Sequence, residues 1–176
     1  MAKVILVTGA ARSGKSEWAE KLAAESGESV IYIATAQENP DDPEWQARIE
    51  LHRSRRPADW QTRAVAIELS QAIEHSSNCL LIDSLGTWLA NFLEQSDADW
   101  EKTVEALFQS FDKTESLIIF VAEETGWGVV PAYPIGRVFR DRLGSLTRRV
   151  GEIAHTVYLV VGGHVLNLSQ LGMPLR

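Results

Sequence analysis

The sequence predicts a three-layer α/β fold built on a mainly parallel sheet. Two observations favour it: short, continuous apolar runs of the kind that buried parallel strands show, and amphipathic helical patterns that alternate with them. The chain has 176 residues, of which 45% are hydrophobic and 23% charged, and no linker or repeat interrupts it. Such a length and composition are typical of one globular domain, and we expect a single domain over residues 1–176.

The elements follow from the pattern of apolar residues. Five runs are predicted as strands: Lys3–Thr8, Ser29–Ala34, Cys79–Asp83, Leu117–Ala122 and Thr156–Val161. Helices are predicted at Lys15–Ser26, Pro43–Ser54, Ser84–Gln95, Asp99–Lys113 and Pro134–His155. Ligands of such sheets bind beyond the carboxyl ends of the strands, so the loops that follow the strands should share one edge. These loops begin at Gly9, Thr35, Ser84 and Glu123.

Charge and cysteine content restrict the class of protein. The net charge is −7, which argues against nucleic acid as a partner. The single cysteine, Cys79, excludes an intramolecular disulfide and is expected in the core, as in a reducing cytoplasm. The short apolar run before Gly9 predicts neither a signal peptide nor a membrane span. We therefore expect a soluble, cytoplasmic protein.

The strongest motif follows the first predicted strand. Its residues match G-x-x-x-x-G-K-[ST] in full: Gly9, Ala10, Ala11, Arg12, Ser13, Gly14, Lys15 and Ser16. Backbone N–H groups of such a loop surround a phosphate chain, and the helix that follows adds its positive end. Lys15 can bridge the outer phosphates, and the Ser16 hydroxyl can join a Mg²⁺ shell. A chance glycine-rich turn is the alternative, but the motif lies between a strand and a helix, and we predict a P-loop nucleotide-binding domain.

An acidic residue at the end of another strand completes the expected phosphate site. Asp83 ends the run Cys79–Asp83, where a carboxylate can hold a magnesium-bound water. Apolar strands also end in aspartate for solubility or to cap the next helix, so the alternative is a structural role. With the phosphate loop present, we predict that Ser16 and Asp83 form a Mg²⁺ site. No Asn-Lys-x-Asp base reader is present, and the sequence motif does not identify the base.

A histidine lies among arginines on the predicted helix Pro43–Ser54. His52 follows Arg48 by four residues and precedes Arg55 and Arg56 by three and four, so one helix face can combine them. In one interpretation this is a solvated basic helix end with an incidental histidine. In the other, the arginines hold a polyphosphate and His52 attacks its α-phosphorus, with neighbouring positive charge favouring the neutral, nucleophilic imidazole. The spacing alone leaves both open.

Other conspicuous side chains have plainer interpretations. The remaining histidines, His75, His155 and His164, lack paired ligand spacing and are expected at the surface or at helix ends. Trp18 and Trp88 fit core stripes of helices, whereas Trp127, between two glycines, is a candidate for stacking on a ligand. Periodicity does not decide whether Arg137 and Arg140 reach phosphates or form a solvated face.

Several segments together resemble the bifunctional adenosylcobinamide kinase/adenosylcobinamide-phosphate guanylyltransferase family. They are Val7–Ser16, Tyr32–Ala36, Arg48-Ile49 with His52, Arg56-Pro57 with Trp60, Glu124 with Gly126–Pro131, Gly136-Arg137 with Phe139–Asp141, and Val157–Val161. The similarity covers nearly the whole chain, and the stretch Gly126–Pro131 with Phe139–Asp141 is more specific than a phosphate loop.

The resemblance implies an activity and a set of site residues. Members phosphorylate the hydroxyl of the aminopropanol arm of adenosylcobinamide, then transfer GMP from GTP to that phosphate through a guanylylated histidine, which corresponds to His52. The resemblance also implies GTP and ATP as substrates, Mg²⁺ as the cofactor, a RecA-like sheet and assembly as a homotrimer. The implied nucleotide contacts beyond the phosphate loop are Ala34, Thr35, Ala36, Arg53, Ser54, Arg55, Arg56 and Asp83.

The chain also departs from the family pattern. Gly9-Ala10 replaces Gly-Gly, Arg63-Ala64 stands where a glutamate usually follows Trp-x-Thr, Glu123-Glu124 replaces Asn-Glu, and Thr147-Arg148 replaces Asn-Gln. Because neutral amides are lost, we expect weakened or altered use of the corrinoid acceptor. A monofunctional P-loop kinase with a structural His52, and a nucleotide-dependent regulatory protein, are the alternative functions.

Overall fold

The structure is a computed structural model that describes residues 1–37, 50 and 56–175. Seven strands form one sheet within these residues: β1 (Lys3–Gly9), β2 (Val30–Ala34), β3 (Gln61–Ala64), β4 (Cys79–Asp83), β5 (Leu117–Glu123), β6 (Thr156–Val161) and β7 (His164–Asn167). The helices of the same residues are α1 (Lys15–Ala24), α2 (Leu69–Glu74), α3 (Leu85–Ala90), α4 (Asp97–Phe111), α5 (Pro134–Ile153) and α6 (Leu168–Leu171).

The strand order across the sheet is β3-β2-β4-β5-β1-β6-β7. All neighbouring strands are parallel except β6 and β7, which are antiparallel. Strand β1 lies between β5 and β6, and Gly9 at its end is in register with Glu123 at the end of β5. The predicted α/β fold with a mainly parallel sheet is therefore confirmed.

Alternation along the strands divides the core into two clusters, one on each face of the sheet. Along β1, Leu6 belongs to the cluster that includes residues of α2, α3, α4 and α5, and Val7 belongs to the cluster that includes α1. In β4, Leu80 and Leu81 divide in the same way. The sheet is thus covered on both faces, which explains why its strands read as continuous apolar runs.

Aromatic residues fill the face that carries four helices. Trp88 of α3 is 2% exposed and its ring centroid lies 5.1 Å from that of Phe92 and 5.7 Å from that of Trp100. On the opposite face, Trp18 of α1 packs edge-on against Tyr158 at 5.6 Å. Cys79 is completely buried. The predicted core positions of Trp88 and Cys79 are confirmed, and Trp18 is half-buried and packs against the core on the face of α1.

Two strands were absent from the sequence prediction. β3 lies at an edge of the sheet and is exposed along its length, so its sequence Gln-Thr-Arg-Ala carries no apolar run. β7 forms a hairpin with β6 through Gly162 and Gly163, whose φ angles are 57° and 75°. Two consecutive glycines with positive φ are the usual signal for such a turn, and this signal was present in the sequence.

Helix bounds also differ from prediction. The helix expected at Ser84–Gln95 begins at Leu85, because Ser84 is its N-cap, and ends at Ala90. The one expected at Asp99–Lys113 begins two residues earlier, at Asp97, because the Ser96 side chain caps it. The short helices α2 and α6 were not predicted. The predicted helix Pro43–Ser54 lies outside the described residues, apart from residue 50. Among the helices that are described, none is long and apolar enough to cross a membrane.

Candidate active site

The carboxyl ends of the strands meet at one edge, and hydrogen bonds join their loops in series. The Thr35 hydroxyl after β2 donates to the Ser84 carbonyl after β4 at 2.7 Å. The Ser84 hydroxyl donates to the Glu123 carboxylate at the end of β5. The Glu124 N–H donates to the carbonyl of Gly9, where the phosphate loop begins, at 2.9 Å. The predicted shared edge is confirmed.

The phosphate loop has the backbone conformation of a tight turn into a helix. Arg12 and Gly14 have positive φ angles of 57° and 92°, and the Ser13 N–H donates to the Ala10 carbonyl at 3.2 Å. Gly9 has no room for a side chain, since a Cβ there would lie 2.5 Å from the Val160 carbonyl oxygen. The N–H groups of the first turn of α1 therefore open towards the loop, as anion binding requires.

Lys15 and Ser16 begin α1, directly behind this loop. The Lys15 ammonium donates to the Ala10 carbonyl at 3.2 Å, so the side chain folds back along the loop. Both side chains are half-buried at the mouth of the loop. A cation and a hydroxyl are thus held where the loop would place the outer phosphates.

Asp83 lies on the same face of the sheet as α1. Its Oδ2 accepts a hydrogen bond of 3.1 Å from the hydroxyl of Tyr32, a residue of the cluster that includes α1. Burial, and then the neighbouring Asp83 charge, raise the pKa of Tyr32 well above its usual range, so the phenol remains a donor. The peptide between Asp83 and Ser84 is cis. Tyr32 was not among the predicted site residues, and only the three-dimensional pairing of β2 with β4 places it there.

Arg56 is brought to this face as well. Its guanidinium lies over the Tyr32 ring, 3.6 Å from the centroid, and its Nη1 donates to the Thr62 hydroxyl at 3.3 Å. The other predicted residues of this segment, His52, Arg53, Ser54 and Arg55, lie outside the described residues, as does Arg48. Arg56 therefore places the end of the basic segment beside Tyr32 and Asp83.

The three predicted contacts at the carboxyl end of β2 differ in burial. Thr35 is completely buried, and its hydroxyl both donates to the Ser84 carbonyl and accepts from the Ser84 N–H at 2.9 Å. Ala34 and Ala36 are half-buried at the edge of the sheet. The Thr35 side chain thus positions the turn after Asp83, while Ala34 and Ala36 are the residues of this group that solvent reaches.

Glu123 closes the row of loops between Ser84 and Gly9. Its carboxylate accepts from the Ser84 hydroxyl and, at 3.0 Å, from the N–H of Gly86 in the first turn of α3. A Cβ on Gly86 would overlap this carboxylate, which explains a glycine at this position. Glu123 therefore bridges β5 to the turn that carries Asp83.

The remaining histidines have structural partners. His155 Nδ1 accepts from the Val4 N–H at 3.2 Å, while the rings of His75 and His164 hydrogen-bond backbone carbonyls of Gln71 and Gly162. No group of three or more His, Cys, Asp or Glu side chains that could hold a metal occurs within residues 1–37, 50 and 56–175. These histidines are parts of helix and strand ends.

The arginines of α5 are also engaged with protein atoms. The Arg137 guanidinium donates to the carbonyls of Pro131 and Ala132 at 3.0 and 2.8 Å, and that of Arg140 pairs with Asp141 at 2.8 Å. Arg137 thus fixes the loop before α5. Trp127, in the same loop, is 71% exposed. A role for Trp127 in stacking on a ligand stays a prediction.

The phosphate loop lies between a strand and a helix that begins with Lys15, and Asp83 ends a strand two positions away in the sheet. This arrangement defines a P-loop nucleotide-binding protein. Residues 5–168 match the family model CobU, described as cobinamide kinase / cobinamide phosphate guanyltransferase. The chain belongs to this family, and it is a transferase.

Curated relatives agree with the family. The chain is 41% identical to the bifunctional adenosylcobalamin biosynthesis protein CobP of Pseudomonas aeruginosa, over 97% of this chain and 96% of that protein. It is 35% and 33% identical to the proteins named CobU of Escherichia coli and Salmonella typhimurium, over 91% of this chain and 96% of each relative. The family resemblance inferred from the sequence motifs is confirmed.

Solved structures support the fold. An ATPase of the type III secretion system of pathogenic bacteria superposes with a TM-score of 0.56 at 11% identity, over 96% of this chain and 53% of that one. A protein of Pyrococcus horikoshii OT3 gives a TM-score of 0.55 at 7% identity, over 94% and 85% of the two chains. These likenesses concern the α/β, RecA-like architecture alone.

Proposed function

We propose that this enzyme phosphorylates the hydroxyl of the aminopropanol arm of adenosylcobinamide and then transfers GMP from GTP to that phosphate through His52. The observation that carries the proposal is the shared edge of the sheet, where the phosphate loop with Lys15 lies on the same face as Asp83 and Arg56. Family membership supplies both activities. One domain over residues 1–176, located in the cytoplasm and assembled as a homotrimer, is part of the same proposal.

The kinase step is an in-line displacement at the γ-phosphorus. The acceptor hydroxyl oxygen forms a bond to phosphorus, the bond to the β,γ-bridging oxygen breaks, and the nucleoside diphosphate leaves with that electron pair while the hydroxyl proton passes to water. The loop N–H groups, the start of α1 and Lys15 stabilise charge on the transferring group. ATP and GTP are both proposed as donors for this step.

The guanylyl transfer needs attack at a different phosphorus. A neutral His52 nitrogen bonds to the α-phosphorus of GTP, and the bond to the α,β-bridging oxygen breaks to release pyrophosphate. An oxygen of the acceptor phosphate then displaces the histidine, which regenerates free His52 and completes the second in-line step. Arg53, Ser54, Arg55 and Arg56 are proposed to hold the polyphosphate, and the position of Arg56 beside Asp83 supports this assignment.

Ser16 and Asp83 are proposed to hold Mg²⁺. A hydroxyl and one carboxylate are hard oxygen ligands, and Mg²⁺ in nucleotide sites takes one or two carboxylates together with phosphate oxygens and waters. The position of Asp83 on the face of α1, fixed by Tyr32, fits this donor set. When bound, Mg²⁺ supplies charge neutralisation to the phosphates.

Covalent labelling tests the proposal directly. Incubation with GTP labelled at the α-phosphate should leave acid-labile label on the wild-type protein and none on His52→Ala. His75→Ala is the matched control, because His75 is exposed and contacts the carbonyl of Gln71. An unlabelled wild type with active kinase would favour a monofunctional kinase. Loss of both transfers, with nucleotide-dependent partner binding, would favour a regulatory protein.

A further inference from the structure

A small pocket lies next to the phosphate loop, between the ends of β1, β5 and β6 and the helix α5. Its volume is about 280 Å³. Thr8 projects on the face of Leu6, the face that α5 covers, so the pocket is on the opposite side of β1 from α1. The strands contribute Leu6, Thr8 and Val157 to its lining, and Glu123, Gly144 and Thr147 also line it. We call it the Thr8–Thr147 pocket.

Two residues that line this pocket have side-chain hydroxyls with no hydrogen-bond partner among the described residues. They are Thr8 Oγ1 and Thr147 Oγ1, and both atoms are buried. Thr8 is only 9% exposed as a residue. Buried hydroxyls are nearly always paired, because an unpaired one forfeits the hydrogen bonds that water gave it. The two threonine hydroxyls therefore mark a place where a polar group of a ligand, or an ordered water, supplies the missing hydrogen bonds.

The charged side chains of the pocket are already paired with protein groups. Glu123 accepts from Ser84 and Gly86, Glu124 accepts from the Gly126 N–H, and Arg148 pairs with Glu152 at 3.4 Å. Two carboxylates among the lining residues, Glu123 and Glu124, disfavour an anion such as phosphate. The polarity that remains is that of the two hydroxyls, which both donate and accept, and this suits a neutral amide or alcohol.

The position and the volume of the pocket further restrict which ligand can bind there. Thr8 directly precedes Gly9, and the Glu124 N–H donates to the Gly9 carbonyl, so a group in the pocket lies one residue from the phosphate loop. A volume of about 280 Å³ is below that of sites for drug-sized ligands. A corrin macrocycle cannot enter, whereas a single side arm can.

We propose that the Thr8–Thr147 pocket binds the hydroxyl-bearing amide arm of the acceptor and directs its hydroxyl towards the phosphate loop. Thr8 Oγ1 and Thr147 Oγ1 hydrogen-bond the arm, while the macrocycle stays outside the pocket. This inference rests on the proposed kinase function and names its acceptor subsite. It assigns Thr147, one of the positions where the chain departs from the family pattern, to recognition of the acceptor.

Gly144 provides a direct test because it lines the pocket and a Cβ there meets nothing within 4 Å. Gly144→Leu should place a bulky side chain at the pocket and raise KM for adenosylcobinamide at least about tenfold, and Gly144→Ala should raise it less. KM for the nucleotide and the rate of α-phosphate labelling should stay at wild-type values. Ser145→Leu is the matched control, since it adds the same side chain one residue along α5, at an exposed position outside the pocket.

Thr147 provides a second test that does not depend on added bulk. Thr147→Val keeps the shape but removes the hydroxyl, and KM for the acceptor should rise roughly 5-fold, the equivalent of one hydrogen bond, with recovery in Thr147→Ser. An unchanged acceptor KM in Gly144→Leu, or a parallel rise in nucleotide KM, overturns the proposal. An effect of Thr147→Val on thermal stability alone means that the hydroxyls bind only water.

The two proposals fail in different ways. If the wild type labels and turns over acceptor while Gly144→Leu behaves normally, the pocket assignment is wrong and the proposed function stands. If the wild type neither turns over nor binds adenosylcobinamide, the proposed function is wrong, and the assignment of the arm is wrong with it.

Discussion

The hydroxyl of Tyr32 donates a hydrogen bond of 3.1 Å to the carboxylate of Asp83, across the adjacent strands β2 and β4. The Arg56 guanidinium covers the Tyr32 ring on the same face. The Tyr32 side chain therefore connects Asp83, the proposed metal ligand, with Arg56.

Tyr32→Phe should weaken the proposed Mg²⁺ site. The variant keeps the ring under Arg56 but frees the Asp83 carboxylate to rotate, and loss of such an orienting hydrogen bond typically costs about 10-fold or more in metal affinity. We expect the Mg²⁺ concentration for half-maximal kinase activity to rise about 10-fold. Tyr133→Phe, at a 77% exposed residue, is the control. An unchanged Mg²⁺ dependence would mean that Tyr32 does not orient a metal ligand.

Glu123→Ala should destabilise the turn after Asp83. The Ser84 hydroxyl and the Gly86 N–H both lose a charged acceptor, and hydrogen bonds to charged groups contribute about 1.5–3 kcal/mol each. We expect the free energy of unfolding in urea to fall by about 2–4 kcal/mol, and by less in Glu123→Gln, which keeps one acceptor oxygen. Equal losses in the two variants would show that the carbonyl oxygen of glutamine cannot replace the carboxylate.

Gly9→Ala should abolish nucleotide binding. The new methyl group would lie 2.5 Å from the Val160 carbonyl oxygen and 2.6 Å from Ser13 Oγ, and the carbonyl belongs to a paired strand that cannot shift cheaply. Calorimetry should detect no nucleotide binding, and unfolding should require about 1–3 kcal/mol less free energy. Gly128→Ala serves as the stability control, because its Cβ meets nothing within 4 Å. Wild-type affinity in Gly9→Ala would contradict the close approach of β6 to the loop.

Alkaline solution should destabilise the fold partly through Cys79. Burial raises the pKa of the Cys79 thiol from 9.0 to about 11. Between these two pH values the thiol ionises in the unfolded chain but not in the folded protein. Its contribution to the stability of the fold is therefore complete below pH 9 and is lost as the pH rises to about 11. The free energy of unfolding, measured in urea from pH 8 to 11, should fall more steeply with pH in the wild type than in Cys79→Ala. The difference in slope should be up to about 1.4 kcal/mol per pH unit. Identical slopes would show that the thiol does not titrate differently in the fold.

Local sequence patterns predict those parts of the structure that local physics determines. Five of the six parallel strands have continuous apolar runs because helices cover both faces of the sheet. The glycines of the phosphate loop occur where φ is positive or a Cβ has no room. Strand β3 was not predicted because an exposed edge strand needs no apolar residues. Strand β7 was not predicted either, although Gly162 and Gly163 signal its hairpin.

The connections within the site were not predictable from local patterns. Tyr32 and Asp83 are 51 residues apart, and Ser84 and Glu123 are 39 apart. Their contacts follow from strand order, which the alternation of strands and helices does not specify. Likewise, nothing in the sequence indicates that the hydroxyls of Thr8 and Thr147, two residues that line one pocket, are left unpaired among the described residues.

Alternation along β1 has an evolutionary consequence. Val7 faces the helix of the nucleotide site and Thr8 the pocket proposed for the acceptor, so one strand separates the two halves of the chemistry. Substitutions on α5 can therefore accumulate and change the choice of acceptor, while the residues that bind the triphosphate stay undisturbed. A fold partitioned in this way can acquire a new substrate while its energy source stays the same.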